Sequence, residues 1–249
     1  MSIAAPILIG CIVGLLLGLL GGGGAILIVP AMVYVLHADE HVALATALII
    51  VAVNAAIGGG LAWRDGRADM RTALLFGGSG MVTAYGGALI SKHIPGTYLL
   101  VAFSCLLLVI AVVMFRGTMG SAAERTAVIR PRWHIVGIGA LVGLVTGILG
   151  VGGGFVIVPS MVLLVGMPMR KAVGTSLLVI TINSVSSLLG HLETAFDWTL
   201  IASLLGGAIP AMTLANRYGG AIDQLKLRRG FAIFVTCVSL FMLAETLLI

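Results

Sequence analysis

The amino-acid sequence predicts an all-α polytopic membrane protein, built from two five-segment inverted repeats with short or re-entrant helices at glycine-rich breaks. Three observations lead to this fold class. Apolar residues make up 60% of the 249 residues and charged residues only 9%, against about 25% charged in an ordinary soluble domain. The apolar residues form runs long enough to enter a bilayer, and the two halves of the chain share a motif at a constant spacing.

The apolar residues fall into ten segments, five before and five after a polar stretch at 116–134. The segments are 3–20, 25–36, 42–63, 72–91, 98–115, 135–149, 155–165, 172–189, 198–215 and 230–248. A helix needs about 20 apolar residues to cross a bilayer, so 25–36 and 155–165 are too short to cross as ordinary helices. We expect each to pair with the segment before it, as two passes or one re-entrant turn, with shortened helices meeting near mid-membrane. The chain then divides into a first transmembrane repeat (1–115), a cytoplasmic connector (116–134) and a second transmembrane repeat (135–249).

The loop charges predict the orientation of these segments. When the connector is placed in the cytoplasm, every Lys and Arg except Lys92 falls in a cytoplasmic loop, as the positive-inside rule favours. The loops at 37–41 (HADEH) and 191–197 (HLETAFD), which carry acidic residues, then lie outside. Both termini are predicted to face away from the cytoplasm, in a multi-pass protein of the bacterial cytoplasmic (inner) membrane.

A glycine-rich motif occurs once in each half. Residues 18–32 read GLLGGGGAILIVPAM and residues 147–161 read GILGVGGGFVIVPSM, so identical residues recur at an offset of 129. The same offset pairs Thr46 with Thr175 and Asn54 with Asn183. A bias toward apolar residues does not readily match polar residues in register, so the two halves are predicted to be repeats.

The odd number of segments in each repeat requires the two repeats to cross the membrane in opposite senses. The loops agree, because the loop after the short segment is acidic in the first repeat (HADEH) and basic in the second (MPMRKA). Inverted repeats are typical of secondary transporters, whose sites lie at the repeat interface near the membrane midplane.

The glycine runs before the two short segments are the leading candidates for a binding site. A run of glycines leading into a helix leaves amide N–H groups without intrahelical partners, and with the helix dipole such amides bind anions. The predicted substrate-binding residues of these motifs are Gly21, Gly22, Gly23, Gly24, Pro30, Gly150, Gly152, Gly153, Gly154 and Pro159.

Close helix packing is the alternative role for glycine, because small residues let membrane helices approach. That role alone is assigned to Gly14, Gly58, Gly59, Gly60, Gly77, Gly78, Gly86, Gly87, Gly206 and Gly207. For the two repeated glycine runs both roles stay open, and binding is favoured.

Neutral polar residues follow each short segment and are predicted to line the path of the substrate. They are Thr46, Asn54, Thr175, Ser176 and Asn183. Interhelical hydrogen bonding, worth about 0.6 kcal/mol on average, is the alternative role. Ser184, Ser186 and Ser187 are weaker candidates because the first repeat has no polar residue at the matching positions.

Several function classes lack their usual residues. The predicted mid-membrane regions hold no charged residue, so neither catalytic residues nor a metal site is expected and the protein is not predicted to be an enzyme. No cofactor is predicted, and the three cysteines form no CxxC pair. The basic residues follow the loops, so no nucleic acid is expected as a partner; the expected partners are a small anion and the lipid bilayer, and homo-oligomers are compatible with the sequence.

The two glycine motifs, the stretch AVGTSLLVITINSVSSLLGH at 172–191 and the DW that follows it resemble the TauE/SafE sulfite-exporter family, also called the toluene sulfonate uptake permeases. The resemblance covers nearly the whole chain. It implies a bacterial inner-membrane carrier of sulfur-containing anions such as sulfite, sulfonates and sulfoacetate. The family motif falls on Gly150, Gly152, Gly153, Pro159, Thr175, Ser176 and Asn183, and the first repeat matches less fully, with Ala47 in place of a serine.

The function that the sequence favours is a secondary transporter that moves a small sulfur-containing anion, bound at the repeat interface by backbone amides of the two glycine breaks. One alternative is an anion channel in which the same breaks form a static filter. Another is a membrane assembly or maturation protein without transport activity.

The orientation has a direct test. Reporters that work in only one compartment, fused at Ile249 and within the connector 116–134, should give opposite signals because the loop charges place these sites on opposite sides. Equal signals from the two fusions would contradict the inverted topology.

Overall fold

The computed structural model describes residues 4–20, 27–29, 31–36, 40–91, 94, 96–115, 131–149, 154–189, 196–219, 229–230, 232–233, 235–241 and 244. This part of the chain is almost wholly helical and has no strand. Its helices are α1 (Ala4–Leu20), α2 (Glu40–Arg64), α3 (Met70–Ser91), α4 (Gly96–Phe115), α5 (Arg132–Leu149), α6 (Gly154–Ser160), α7 (Met169–Leu189) and α8 (Trp198–Gly219), with π-helical turns at Ala31–Val35 and Met161–Val165. The all-helical prediction is confirmed. Four stretches are long and apolar enough to cross a membrane: Thr46–Arg64, Arg132–Leu149, Met169–Leu188 and Trp198–Arg217.

The first turns of α3, α5 and α7 lie up to three residues before the predicted apolar segments. Asp69 caps α3, because its Oδ1 accepts the backbone N–H of Arg71 at 3.0 Å. Pro131 and Pro168 precede α5 and α7, and each carbonyl accepts a backbone N–H from the first turn, at 3.0 and 2.9 Å. Caps and prolines set these ends, and neither is visible in hydropathy alone.

Two helix pairs pack backbone against backbone through glycines. On α1, Gly10, Gly14 and Gly18 lie one turn apart, and a methyl group on any of them would overlap α8. On α5, three glycines at the same spacing lie against α3 in the same way. The facing positions are Gly139 with Phe76, Gly143 with Gly80 and Gly147 with Ala84, and Gly10 with Leu204, Gly14 with Ala208 and Gly18 with Met212. Residue numbers rise together across each contact, so both pairs run parallel.

These two packings are the same interaction made twice. The glycines of α5 follow those of α1 by 129 residues, and the facing residues of α8 follow those of α3 by 128. In each pair one helix comes from the first half of the chain and the other from the second. Because the offset falls from 129 to 128, the connection before α8 is one residue shorter than the connection before α3. There Asp197 Oδ1 accepts the N–H of Thr199 at 3.0 Å, as Asp69 does at the start of α3.

The helices α2 and α7 pack against each other in opposite directions. A Cβ at Gly58 would lie 3.1 Å from Leu177 Cδ1, whereas a Cβ at Gly174 would lie 3.0 Å from the Cβ of Ala62. Residue numbers therefore rise along α2 as they fall along α7. These helices carry the paired Thr and Asn residues, so matching stretches of the two halves point in opposite directions.

The basic residues of several loops gather at one end of the bundle. Gly77 of α3 lies against Val179 and Ile182 of α7, and Gly80 lies against Asn183, so α3 is parallel to α7 as well as to α5. All three helices therefore begin at the same end. That end, here called the basic end, carries Arg64, Arg67, Arg71, Arg132, Arg170 and Lys171, which the loop charges also place together.

The parallel course of α5 and α7 defines the path of the chain between them. Since α5 starts at the basic end and α7 starts there again, the intervening chain must return, and α6 with the π turn Met161–Val165 forms the returning leg. A return to the same end agrees with either two passes or one re-entrant turn, both of which the sequence allows. The 18 residues of α5 extend about 27 Å, so this helix is not the half-depth helix that the sequence predicted.

The packing role predicted for glycines holds at some positions and is wrong at others. Six of these glycines lie within 4 Å of a neighbouring helix: Gly14, Gly58, Gly59, Gly77, Gly87 and Gly207. At Gly60, Gly78, Gly86 and Gly206 an added Cβ would meet nothing within 4 Å. Sequence does not separate the two groups, because the difference lies in which face meets another helix.

The backbone contact between α5 and α3 has a matched test. Replacing Gly143 with Ala should lower the free energy of unfolding by about 1–3 kcal/mol, because the new methyl overlaps the backbone of Gly80. Replacing Gly78 with Ala on α3 should cost nothing or stabilise slightly, since that Cβ meets open space and Ala is the better helix former. Thermal unfolding in detergent measures both, and equal effects would contradict this packing.

Candidate functional site

The predicted site residues divide into those that the structure describes and those that it does not. Gly21, Gly22, Gly23, Gly24, Pro30, Gly150, Gly152 and Gly153 lie outside the described residues. Gly154 begins α6 and Pro159 lies inside it, and both are buried. Proline has no N–H to donate, and the chain widens into a π turn directly after it, a feature common near functional sites.

Two of the predicted hydroxyl groups have partners within the protein. Ser176 Oγ donates to the carbonyl of Val173 at 2.7 Å, one turn back in α7. Thr175 Oγ1 accepts the backbone N–H of Asp69 at 2.9 Å, which joins α7 to the loop between α2 and α3. In this structure neither side chain points an unoccupied polar atom into a site.

Three other predicted residues are buried with an oxygen that lacks a partner. Thr46 and Asn54 are each 1% exposed and Asn183 is 4% exposed. Within the described part of the chain, Thr46 Oγ1 and the Oδ1 atoms of both asparagines have no hydrogen-bond partner, although Asn54 Nδ2 donates to the carbonyl of Ile50 at 2.9 Å. Leaving such an acceptor buried and unpaired costs about 1–3 kcal/mol, so these oxygens are the strongest candidates to meet a ligand.

Ser184 belongs to the same class although the sequence made it a weaker candidate. It is fully buried and its Oγ has no partner. It follows Leu177 by seven residues, which is two turns, so it lies on the face of α7 that meets α2. The sequence ranks Ser184 lower because the matching residue in the first half is Ala55.

The structure brings the two asparagines to one level and separates the two threonines. From the contact between Ala62 and Gly174, Asn54 lies eight residues back along α2 and Asn183 nine residues forward along α7. Their levels differ by one residue, about 1.5 Å. Counted from the same contact, the levels of Thr46 and Thr175 differ by fifteen residues, about 22 Å. These two residues therefore lie toward opposite ends of the bundle.

The two asparagines face different helices at that common level. Asn183 lies half a turn round α7 from Gly174, and a Cβ on Gly80 of α3 would lie 3.6 Å from its Nδ2. Asn54 shares a face of α2 with Gly58, where an added Cβ would lie 2.9 Å from Met212 Sδ of α8. Both residues therefore lie where a helix of one half packs against helices of the other.

The chemistry of this region is that of neutral hydrogen-bonding groups. The unpartnered atoms are carboxamide and hydroxyl oxygens, which accept hydrogen bonds from an O–H or N–H group. Among the described residues no cluster of His, Cys, Asp or Glu is suited to a metal ion. An anion can accept hydrogen bonds from the hydroxyl groups of Thr46 and Ser184, which also donate, and backbone amides are further donors that such a region has in quantity.

The unpaired oxygen of Asn183 has a measurable consequence. Replacing Asn183 with Ala should change the free energy of unfolding by less than about 1 kcal/mol, because Asn183 Oδ1 makes no hydrogen bond that the substitution would remove. Replacing Asp69 with Ala should cost about 1–2 kcal/mol, because it removes the cap of α3. Unfolding in detergent compares the two, and an equal loss would show that the Asn183 carboxamide is a structural bond rather than a free group.

Comparison with known proteins adds to this picture. The family model described as "Sulfite exporter TauE/SafE" matches residues 6–242. A "Probable membrane transporter protein" of Xylella fastidiosa (strain 9a5c) is 32% identical over 244 residues, covering 94% of this chain and 92% of that protein. "Probable membrane transporter protein YdhB" of Bacillus subtilis (strain 168) is 26% identical over 237 residues, covering 92% and 95%.

A third relative matches a smaller share of the chain. "Probable membrane transporter protein MJ0441" of Methanocaldococcus jannaschii is 26% identical over 193 residues, covering 75% of this chain and 71% of that protein. No solved structure matches the chain. The family match spans nearly all of the helices described above, including the glycine-lined pairs and the helices that carry the two asparagines. The chain belongs to the TauE/SafE sulfite exporter family of membrane transporters.

Proposed function

We propose that this protein is a secondary carrier that moves a small sulfur-containing oxyanion, such as sulfite or a sulfonate, across the cytoplasmic membrane. The anion binds between two inverted repeats. The observation that carries the proposal is the pair Asn54 and Asn183, which match at an offset of 129, lie at one level of the bundle and each keep a buried oxygen without a partner.

Two packing features support inverted repeats. The matching helices α2 and α7 run antiparallel against each other, which is the arrangement expected of counterparts related by an axis in the membrane plane. The pairs of α1 with α8 and of α5 with α3 each join a helix of one half to a helix of the other. Because each half completes the packing of the other, the interface between repeats runs through the middle of the bundle, where such carriers bind substrate.

The glycine breaks supply the donors that an anion needs. In this proposal the amides of Gly21, Gly22, Gly23 and Gly24 and of Gly150, Gly152, Gly153 and Gly154 bind the oxygens of the anion, as helix N-termini do elsewhere. Pro30 and Pro159 hold the short segments that follow, and Thr46, Thr175 and Ser176 line the path. Unpaired amides within a bilayer must face protein, water or ligand, so an anion bound at these glycines would satisfy them.

The unpaired asparagine oxygens complement those amides. An acceptor cannot bind a fully deprotonated oxygen, but it does accept from the O–H group of a singly protonated oxyanion or from a water that hydrates it. Hydrogen sulfite carries such a group. A site with amide donors on one side and carboxamide acceptors on the other therefore fits a monoprotonated oxyanion.

The location follows from the charges. The basic end of the bundle faces the cytoplasm under the positive-inside rule, so both termini lie on the opposite side of the inner membrane. The gathering of Arg64, Arg71, Arg132 and Lys171 at one end supports this orientation.

The glycine site is tested by adding one methyl group to each repeat. Gly23→Ala and Gly152→Ala should still insert, because hydropathy barely changes, while the affinity for sulfite should fall in both because the methyl obstructs approach to the amides. Affinity is measured on folded, monodisperse protein by thermal shift against sulfite, sulfate, thiosulfate and a sulfonate, where a specific ligand at 100 times its Kd stabilises by about 2.7 kcal/mol.

Gly78→Ala serves as the control, since a Cβ there meets nothing within 4 Å. It should bind sulfite as the unaltered protein does. Unchanged affinity in both Gly23→Ala and Gly152→Ala would assign these glycines to packing and would remove the anion site proposed here.

A further inference from the structure

A hydrogen bond at the basic end holds the two halves together. Thr175 Oγ1, fully buried in α7, accepts the backbone N–H of Asp69 at 2.9 Å. Asp69 is itself fixed, because its carboxylate accepts the N–H of Arg71 at 3.0 Å and the O–H of Thr72 at 2.8 Å. The neighbouring Gly174 packs against the carbonyl of Arg67. The loop between α2 and α3 therefore closes over the start of α7.

The groups that make this bond occur a second time at the opposite end of the bundle. Thr46 in α2 matches Thr175 at the offset of 129, and Asp197 matches Asp69 at the offset of 128 that relates α8 to α3. Asp197 caps α8 through bonds of 3.0 and 3.1 Å to the N–H groups of Thr199 and Leu200, as Asp69 caps α3.

The second copy of the bond is not made. Thr46 is 1% exposed, and its Oγ1 has no hydrogen-bond partner among the residues that the structure describes. The two matched sets of residues therefore differ in one structure. The hydrogen bond is present at the basic end, and at the other end the matching threonine is buried without a partner. A buried hydroxyl without a partner is costly, and a hydrogen bond from the N–H of Asp197 would satisfy it.

We propose that Thr175 with Asp69 and Thr46 with Asp197 are two latches that close alternately, one at each end of the carrier. The structure described here has the basic-end latch closed. In the opposite state the N–H of Asp197 donates to Thr46 Oγ1 and the bond from Asp69 to Thr175 opens. The proposal rests on the carrier of inverted repeats argued above, in which rocking of the repeats exchanges access between the two sides.

The arrangement keeps the two states close in free energy. Each state satisfies one threonine and leaves the matching one unpaired, so the cost of breaking one latch is offset by forming the other. A small bias from either latch then shifts the ratio of the two populations, as for any two-state equilibrium. In this scheme the hydroxyl groups of Thr46 and Thr175 control access to the path that these residues line.

The latches are tested by thiol labelling in the absence of any anion. In a background without Cys11, Cys105 and Cys237, a single cysteine replaces Ala172, which is fully buried in the first turn of α7, three residues before Thr175. The protein is placed in inside-out vesicles, and the rate of reaction with a membrane-impermeant methanethiosulfonate is measured. A second reporter replaces Ala43, which is fully buried at the matching position before Thr46, in right-side-out vesicles.

Valine in place of threonine removes the hydroxyl and keeps the shape. Thr175→Val should raise the labelling rate at position 172 about fivefold, the effect of losing one hydrogen bond of about 1 kcal/mol. Thr46→Val should lower that rate by a similar factor, because it destabilises the state in which the basic end is open. The order of the two variants should reverse at position 43, and Thr175→Ser, which keeps the hydroxyl, should label as the parent does.

Changes of the same sign in Thr46→Val and Thr175→Val at position 172, or no change in either, would overturn the latches. Thr175→Ser controls for misfolding, since a purely steric defect is not rescued by a hydroxyl. The test is also separate from the identity of the substrate. Opposite shifts in protein that binds no sulfur anion would keep the latches and refute the proposed substrate, whereas sulfite binding without the shifts would do the reverse.

Discussion

Direct contact between helix backbones at two glycine stripes is the constraint on which the rest of this bundle depends. Between membrane helices there is little hydrophobic driving force, so association rests on close packing and hydrogen bonds. Gly14 against Ala208 and Gly143 against Gly80 leave no room for a methyl group. Both contacts join opposite halves of the chain, so neither glycine-lined helix finds its main partner in its own half. The repeats are units of sequence, but the packed units cross between them.

This cross-packing explains which parts of the fold sequence analysis could predict. The helices were placed well because the thickness of the bilayer dictates the length of an apolar run. The first turns of α3, α5 and α7 lie up to three residues before the predicted segments, because residues such as Asp69 and Pro168 set these starts through capping and backbone constraint rather than hydropathy. Composition does not predict the role of each glycine, because adjacent residues of one helix lie on different faces. A Cβ on Gly207 would contact α1, whereas a Cβ on Gly206 would meet open space.

At the candidate site, too, the sequence predicts which residues are polar and repeated but not which of them have a hydrogen-bond partner. Comparison of the two halves identified Thr46, Asn54 and their counterparts, because polar residues that recur in register within apolar segments are conspicuous. It did not reveal that the hydroxyl of Thr175 is already bonded to the loop at Asp69. It also undervalued Ser184, because a search for matching residues discounts a position whose counterpart is alanine. Which hydroxyl is free depends on the helix that faces it, and that information lies in the packing.

The differences between the two halves bear on two requirements of the proposed carrier, which are closing either end and binding one anion. The groups of the two proposed latches, a threonine and a capping aspartate, are the same in both halves, so in that proposal exchanging one closed end for the other costs little free energy. Nearer the middle the halves differ, since the first half has Ala55 at the position that matches Ser184. A symmetric centre would offer an anion two equal positions. Unequal polar groups favour one position, so near-symmetry at the ends and asymmetry in the middle suit a carrier that binds one anion and releases it on either side.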